Sequence, residues 1–548
     1  MKRIIYTIFT AVTLVACNVD RFPYEDIREE ELFENEGAIE AVTLGNYSIL
    51  KGDPDGYGFA PQLHRYTEYP GDNIALSGTT TDPLFYSYNY QNIVNSYRSN
   101  DLWSSGFRAV VGCNKVISLI AEGESPESDQ LIGENYFLRA YVFFEMVNIY
   151  GRPYNQGTSN LGIPLKLTAD VEDLPDRNTV GEVYDQVVSD LLKAESLMTL
   201  DKSNAYATKE AAQALLSRVY LYMGENEKAI TYADKVIDSQ RFQLVPQSEM
   251  GRYFVKVPED NTETIFCLRY RKESDYSNGW YTVGSLYASI QNVGWGEMYA
   301  SWSYLQLIDE HPEDVRKAFI EAQYLTDENG DRIPAVYWVD TDYKYQFRRT
   351  SEQNGTTYFT EDGSNVPVQS ETDGDLTRYY IEYGGEKIYV IKDYDMEKRN
   401  GYPKFYILKA SMQENIPQLW SPVVSRLAEM YLNKAEAYAK AGNAGEAIKN
   451  VDIIRERAGI PQYEDVSNIP SGKDVLDIVL EERRLELAFE GHRKFDVFRN
   501  NRVLNRRYPG THLNGNKPYF EVQPTDKRVI EFIPENQINA QPTLTQND

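Results

Sequence analysis

Cysteine and histidine are scarce in this chain, and their spacing argues against several kinds of site. The 548 residues include three cysteines and four histidines. Three cysteines cannot build a disulfide framework, and no Cys-x-x-Cys pair is present for a structural zinc ion. A His-Glu-x-x-His motif and a Gly-x4-Gly-Lys-Ser/Thr phosphate loop are also missing. These absences argue against a zinc hydrolase or a nucleotide-driven enzyme, and we expect neither a metal nor another cofactor.

Positive charge is also in short supply. The chain has 56 Lys+Arg against 83 Asp+Glu, which gives a formal net charge of −27. A field of this sign repels phosphate backbones, so we expect no nucleic-acid partner. Beyond the N-terminus, no apolar stretch is long enough to cross a hydrocarbon layer of about 30 Å. The length exceeds that of one ordinary core and predicts several packed layers or an extended scaffold.

The N-terminus has the pattern of a lipoprotein signal peptide. A basic Met-Lys-Arg start precedes an apolar run over residues 4–16, which is too short for a membrane-spanning helix. Residues 14–17, Leu-Val-Ala-Cys, resemble the bacterial lipobox, in which the cysteine becomes the acylated first residue. We therefore expect residues 1–16 to be removed, Cys17 to carry the lipid, and residues 17–39 to form a tether and N-terminal segment. An ordinary signal peptide with an incidental cysteine is the alternative.

Helical periodicity dominates both ends of the chain. Apolar residues recur at helical spacing over residues 130–150 and 180–198. The pattern Tyr-x3-Gly-x4-Ala-Ile starts at Tyr220 and again at Tyr438, and it resembles the helix-turn-helix unit of tetratricopeptide (TPR) repeats. Small residues at the crossing and glycine in the turn allow two helices to pack closely. We predict a mainly α fold with a TPR-like helix-pair scaffold over residues 40–245 and 423–505.

The region over residues 246–422 has a different pattern. Residues 265–268 and 379–391 are typical of strands, with Asn-Gly and Gly-Gly pairs as turns. The polar stretch over residues 351–375 is predicted to form exposed loops. We assign residues 246–422 to a loop-rich, hairpin-containing insert and residues 506–548 to a C-terminal extension. Loops on a rigid scaffold often carry binding sites.

Several segments, in order along the chain, resemble one family. They are Trp103-x3-Phe107 with Asn114, Arg139-Ala-Tyr leading to Tyr150-Gly-x-Pro153, the charged run Glu482-Arg-x2-Glu-Leu-x2-Glu-Gly-x-Arg-x2-Asp-x2-Arg499, and the Ile533-Pro…Gln-Asn547 ending. With Cys17 and the helix pairs, the chain resembles the SusD/RagB family of Bacteroidetes surface lipoproteins, as one SusD-like domain over residues 17–548. It departs at Phe107, where tyrosine is usual, and at Ala540, where asparagine is frequent.

The resemblance implies a SusD-like α-α superhelix and a non-catalytic, outward-facing lipoprotein anchored in the outer membrane. Family members lie over a SusC-like TonB-dependent transporter and help to capture oligosaccharides or, in some branches, peptides. The implied partners are therefore an oligosaccharide, such a transporter, and the outer membrane through the lipid anchor. The alternative functions are a surface peptide-binding protein, a glycoside hydrolase, or a TPR adaptor. A cytoplasmic adaptor would have no use for the lipobox.

Two glutamates near the C-terminus could suggest acid-base catalysis. Glu486 and Glu490 lie one helical turn apart, and glycosidases use two carboxylates across their substrate. Arg483, Arg484 and Arg493 are near enough in sequence to pair with them, and such pairing lowers a carboxyl pKa. A general acid needs the opposite shift. We interpret this run as a structural ion-pair network.

Two further features are interpreted as structural. Residues 327–331, Asp-x-Asn-x-Asp, resemble the start of a calcium loop, but Arg332 replaces the required glycine and Trp338 the final glutamate. A hairpin turn is therefore predicted there. Cys113 and Cys267 are predicted to be small core residues, and a bridge between them is left open.

Aromatic residues are abundant, with 43 Tyr, 21 Phe and 6 Trp. An aromatic face can stack on the C–H face of a sugar ring, while Asp, Asn or Arg side chains bind its hydroxyls. Core packing is the alternative for any single ring, but we expect at least one cluster to line the ligand surface. The candidate carbohydrate-binding residues are Tyr66, Tyr69, Asp72, Asn73, Tyr88, Trp280, Tyr281 and Trp295.

Overall fold

A computed structural model of the chain describes residues 37–53, 56–373, 376–515 and 519–548. The predicted signal peptide, Cys17 and most of the tether lie outside these residues. Among the helices of the described part, none combines the length and the apolar character that a bilayer crossing demands.

Helices dominate up to residue 250 and again after residue 426, and most strands lie between. The helices are α1 Ala38–Lys51, α2 Phe59–Glu68, α3 Leu84–Tyr88, α4 Tyr97–Leu119, α5 Pro126–Tyr150, α6 Val180–Leu197, α7 Lys209–Met223, α8 Asn226–Asp238, α9 Gln247–Met250, α10 Lys272–Asp275, α11 Val283–Tyr287, α12 Trp302–Ile308, α13 Leu427–Lys440, α14 Ala444–Ala458, α15 Val475–Glu486, α16 Arg493–Phe498 and α17 Glu535–Ala540. The strands are β1 Ile74–Leu76, β2 Leu161–Pro164, β3 Arg177–Thr179, β4 Thr264–Cys267, β5 Met298–Ala300, β6 Ile320–Ala322, β7 Pro334–Val339, β8 Tyr345–Arg349, β9 Ser351–Gln353, β10 Thr356–Glu361, β11 Ser364–Pro367, β12 Gln369–Asp373, β13 Leu376–Tyr383, β14 Glu386–Tyr394, β15 Lys398–Arg399, β16 Tyr402–Pro403, β17 Phe405–Ile407, β18 Val423–Arg426, β19 Leu504–Asn505 and β20 Glu521–Val522.

The two predicted helix pairs are present. Helix α7 packs on α8 across Gly224, and α13 packs on α14 across Gly442. Both glycines have φ near +80°, a left-handed conformation that commonly ends a helix and reverses the chain. Ala211 on α7 and Ala229 on α8 are both fully buried. Because α8 also packs on α13, the pairs stack, and the predicted mainly α, helix-pair scaffold is confirmed.

The insert contains more β-structure than the sequence pattern indicated. A five-stranded antiparallel sheet has the order β12-β13-β14-β7-β8, and β9 to β11 form a second sheet. The predicted hairpin over residues 379–391 is confirmed, but the prediction of exposed loops over residues 351–375 is wrong, because this stretch forms β9 to β12. Phe359 faces Trp338 and Ile381 in a small core, while polar residues face solvent. Most side chains in this stretch are polar, and for this reason the sequence pattern did not indicate strands.

Both cysteines in the residues that the structure describes are free thiols. Cys113 on α4 and Cys267 on β4 are both fully buried, and they are not bridged. Burial raises the pKa of both thiols, which keeps them protonated and unreactive at neutral pH. The prediction that they are core residues is confirmed.

The turn predicted at residues 327–331 is also present, since the Asp327 carboxylate accepts hydrogen bonds from the backbone N–H groups of Asn329 and Asp331.

Glu486 and Glu490 belong to a buried ion-pair network that joins α15 to the rest of the scaffold. Arg426 contacts Glu486 at 2.6 Å, Glu490 at 2.9 Å and Glu263 at 2.6 Å. Burial raises the pKa of Glu490, but the charges of Arg426 and Lys409 outweigh it and lower that pKa to about 2. The structural interpretation of this run is therefore confirmed.

The partners within that network differ from those predicted. Arg483 pairs with Asp496 instead, at 3.0 Å, and Arg484 and Arg493 reach Asp72 at 3.5 and 2.7 Å. The sequence favoured neighbours along one helix. Arginines from other elements reach the two glutamates because β18 and α15 converge in the core, a long-range arrangement that spacing does not encode.

Buried carboxyl groups predict an unusual dependence of stability on pH. Burial raises the pKa of Glu68, Glu145 and Glu531 to about 7, whereas Glu490 and Asp72 titrate at about 2 because arginines outweigh their burial. The depressed groups stabilise the fold above the unfolded pKa of about 4, and this contribution is lost as pH falls towards 2. The raised groups contribute stability at low pH that is lost as pH rises from about 4 to about 7.

Burial also lowers the pKa of His64 and His492, which adds stability as the pH rises to about 6.5 and opposes the raised carboxyl groups. We therefore expect the melting temperature to fall mainly as the pH drops below about 4, where the depressed carboxyl groups lose their ionic partners. Thermal melts from acid to neutral pH at constant ionic strength check this. Between pH 4 and pH 7, Glu145→Gln should gain melting temperature relative to the wild type, since it removes one raised group. A melting temperature that does not fall between pH 4 and pH 2 would contradict the expectation.

Candidate glycan-binding groove

Five of the eight candidate binding residues lie in the core, so their assignment to the ligand surface is wrong. Tyr66, Tyr69, Asp72, Asn73 and Tyr88 are all essentially inaccessible to solvent. A ring without an exposed face cannot stack on a sugar. These residues are instead used for packing and internal hydrogen bonds, in the segments around α2 and α3.

Each of these buried residues has an internal partner. The Asp72 carboxylate accepts two hydrogen bonds from Arg493, at 2.7 and 3.0 Å, and Asn73 accepts one from Arg484 at 2.9 Å. The Tyr88 hydroxyl lies 3.0 Å from Nδ1 of His512. The Asp72-Asn73 pair therefore ties the turn between α2 and β1 to the charged run over residues 482–499. Tyr66 likewise meets Ser96, and Tyr69 packs edge-on against His64.

The other three candidates converge on one open groove. Trp280, Tyr281 and Trp295 line it together with Tyr57 and Tyr97, and it encloses about 850 Å³. Trp295 is 49% exposed, Tyr281 51%, Tyr97 46% and Tyr57 45%, and Trp280 is half-buried. We call these five residues and the space between them the aromatic groove. Four of these rings are about half exposed, so part of their surface is not used for packing in the core.

One wall of the groove belongs to residues 276–297, a segment that includes the short helix α11 and that we call the aromatic loop. The rings of Trp280 and Trp295 meet edge to face, with centroids 5.2 Å apart. The Trp295 indole N–H also donates to the Trp280 carbonyl at 3.0 Å, and the Trp295 amide donates to Ser285 at 2.7 Å. These contacts fix the tryptophan pair relative to the loop. An aromatic pair held in this way is ready to accept a ligand without further ordering.

The opposite wall is formed by Tyr57, Tyr97 and Arg98. Ser96 caps the N-terminus of α4, so Tyr97 and Arg98 project from its first turn. The Arg98 guanidinium lies 5.0 Å from the Tyr97 ring centroid and 5.8 Å from that of Tyr57. Asp82 accepts its hydrogen bonds at 2.6 to 3.2 Å. Burial raises the pKa of Asp82, but these hydrogen bonds outweigh it and hold that pKa below its ordinary value.

The two carboxylates at the groove are already engaged by arginines. Asp82 pairs with Arg98, and Glu297 pairs with Arg399 at 2.5 Å. Because Arg98 helps to hold the pKa of Asp82 below its ordinary value, Asp82 is a poor general acid. Both carboxylates can still accept hydrogen bonds from sugar hydroxyls. In the part of the chain that the structure describes, no cluster of three or more His, Cys, Asp or Glu side chains could hold a metal ion. The groove is therefore suited to binding amphipathic, hydroxyl-rich molecules.

The sequence-based candidates omitted several groove residues, among them Tyr57, Tyr97, Asp82 and Arg98. A signal exists for Tyr57, which stands between Gly56 and Gly58 and so falls in a loop. The first-turn position of Tyr97 after Ser96 also indicates an outward side chain. Neither pattern indicates that these segments face residues 280–295, because that approach depends on the tertiary fold.

Comparison with known proteins agrees with this architecture. The family model described as the SusD family matches residues 262–548, and a second, described as starch-binding associating with outer membrane, matches residues 59–221. A SusD-like protein of Formosa agariphila is 27% identical over 432 residues, which cover 75% of this chain and 74% of the relative. A SusD-like protein of Bacteroides ovatus is 22% identical and covers 89% and 80%.

Solved structures share the fold. A SusD superfamily protein from Bacteroides thetaiotaomicron matches with a TM-score of 0.71 at 24% identity, over 93% of this chain and 99% of the other. A putative sugar binding protein from Bacteroides vulgatus matches with a TM-score of 0.69 at 22% identity, over 93% and 98%. Since the SusD family model alone spans more than half of the residues, and helix pairs and insert follow the same architecture, this chain belongs to the SusD/RagB family.

Proposed function

We propose that this protein is a cell-surface glycan-binding lipoprotein that captures an oligosaccharide in the aromatic groove and delivers it to a SusC-like TonB-dependent transporter. The observation that carries the proposal is the set of five partly exposed rings around an open space of about 850 Å³. Sugar rings stack on such faces, and the groove adds a carboxylate, a guanidinium and the hydroxyls of Thr79 to Thr81 for polar contacts. The matching family described as starch-binding and the structural relative described as sugar-binding support the same ligand class.

The groove favours weak binding. It is open to solvent, and its charged side chains already have protein partners, so a bound sugar gains mainly from ring stacking. Sites of this kind bind in the millimolar to micromolar range, about −4 to −8 kcal/mol. A weak site suits a protein that must release its cargo to a transporter.

Affinity electrophoresis of the purified protein tests the ligand class. The gels contain amylopectin, xylan, pectin or laminarin, and a parallel calorimetric series uses a mixed tryptic peptide pool. We expect at least one polysaccharide to retard the protein, no response to peptides, and no reducing ends released from any glycan. Heat of binding from peptides alone would favour the peptide-binding alternative. Release of reducing ends that depends on the groove carboxylates would favour a hydrolase.

We further propose that Cys17 is acylated and holds the protein on the outer face of the outer membrane. The support is the lipobox pattern in the sequence, together with the match to a family described as associating with the outer membrane. Cys17→Ala should release the protein from the membrane fraction in soluble form, because the lipid alone is expected to anchor it. Fractionation with immunoblotting measures this. Wild-type amounts of Cys17→Ala in the outer membrane would contradict lipid anchoring.

A further inference from the structure

The aromatic loop rests on a second segment that does not line the groove. Four residues with side chains adopt positive φ within residues 411–420, which we call the anchoring segment: Met412, Glu414, Asn415 and Gln418. This conformation is uncommon for residues other than glycine and usually persists where the surrounding structure demands it. Gln418, with φ of 66°, is fully buried.

Gln418 joins the two ends of the turn that leads into Trp295. Its side-chain Nε2 donates to the backbone carbonyls of Ala288 and Val293, at 2.9 Å each. Val293 stands two residues before Trp295. The neighbouring Pro417 carbonyl accepts a hydrogen bond from the Tyr276 hydroxyl at 2.7 Å, four residues before Trp280. The anchoring segment therefore holds the aromatic loop close to both of its tryptophans.

Three glycines make room for this amide. A Cβ atom at Gly294 would lie 2.6 Å from Nε2 of Gln418, and one at Gly284 would lie 2.7 Å from Oε1. A Cβ atom at Gly279 would lie 3.1 Å from the Cβ of Gln418. The aromatic loop thus closes around the glutamine side chain, and its backbone could not approach so closely if these positions carried side chains.

We infer that Gln418 is a positioning residue for the groove: it makes no contact with the ligand but sets the relative placement of Trp280 and Trp295. Its two hydrogen bonds to the loop backbone and its close contacts with three glycines give it this role. Without the amide, the carbonyls of Ala288 and Val293 lose a buried donor, and the turn between them is free to rearrange. The effect of Gln418 on ligand binding rests on the function proposed for the groove.

Gln418→Met tests this inference, because methionine keeps the length and apolar stem of glutamine but cannot donate. Gln413→Met is the matched control. Gln413 is also buried in the anchoring segment, but its Nε2 donates to Tyr270 and Glu414 instead of to the aromatic loop. The first measurement needs no ligand: two indoles in contact give an exciton couplet in circular dichroism. Trp295→Phe identifies the part of the spectrum that belongs to the Trp280–Trp295 pair.

We expect Gln418→Met to lose this couplet while Gln413→Met keeps it, even if both variants melt at a similarly lowered temperature. In affinity gels with the panel polysaccharide that retards the wild type most, Gln418→Met should bind about tenfold more weakly. A couplet unchanged in folded Gln418→Met would overturn the inference. If no polysaccharide retards the wild type, the proposed function fails, while the circular dichroism comparison still decides the role of Gln418.

Discussion

Arg426→Met is expected to lower the free energy of unfolding by about 3–5 kcal/mol, the largest loss that we predict for a single substitution. Arg426 lies almost wholly buried between Glu263, Glu486 and Glu490, with contacts of 2.6 to 2.9 Å. Removing it leaves three carboxylates in the interior with fewer compensating charges. Desolvation of such a charge is costly, and the fold can relieve it only by protonation or local opening. Chemical denaturation followed by circular dichroism measures the loss.

Arg348→Met provides the matched control. Arg348 pairs with Glu361 at 2.8 Å, but about a quarter of each side chain is exposed. Water already screens this pair, so its loss should cost no more than about 1 kcal/mol. Similar destabilisation by the two variants would contradict the structural role assigned to the buried network. An Arg426→Met variant with wild-type stability would contradict it outright.

The largest expected effect on binding comes from removing both tryptophans of the groove. Each stacking face contributes about 1 kcal/mol or more, so Trp280→Ala/Trp295→Ala should bind the selected glycan at least about 30-fold more weakly. Because both rings are partly exposed and lie on a loop, we expect a small change in melting temperature. Calorimetry alongside thermal melts separates the two effects.

Tyr389→Ala is the control for exposed aromatic surface in general. Tyr389 lies on β14 in the insert sheet, outside the groove, and is 50% exposed. Its removal should leave glycan affinity unchanged. Equal loss of affinity in the Tyr389 variant would indicate that the glycan uses the insert sheet. A fall of many degrees in the melting temperature of the double tryptophan variant would indicate that the two tryptophans mainly stabilise the fold.

The sequence predicted the scaffold well because its signals are local. The spacing of apolar residues, the glycine turns at Gly224 and Gly442, and the charged run of α15 and α16 each report on neighbouring residues. The strands over residues 351–373 were missed because they contribute few apolar side chains to the small core, such as Phe359 on β10 and Val366 on β11. Their pairing is visible only in the folded sheet.

The binding groove was predicted less well, for a physical reason. Tyr69 and Trp280 are both aromatic residues in polar surroundings along the chain, yet one is buried and the other lines the groove. Exposure depends on which segments cover a ring, and these come from distant parts of the sequence. Trp280 and Trp295 share a loop, so their proximity could be expected. Their approach to Tyr57 and Tyr97 could not.

A crystal structure of the wild-type protein soaked with a short oligosaccharide of the glycan that retards it most tests the central claim most directly. We predict a sugar ring stacked on Trp295 or Tyr281, with its hydroxyls within hydrogen-bonding distance of Asp82, Arg98 or Glu297. A second cleft of about 390 Å³, lined by Asn204, Arg241 and Thr264, offers an internal comparison, because it is polar and has few aromatic residues. An ordered oligosaccharide in that cleft, with none in the aromatic groove, would contradict the account.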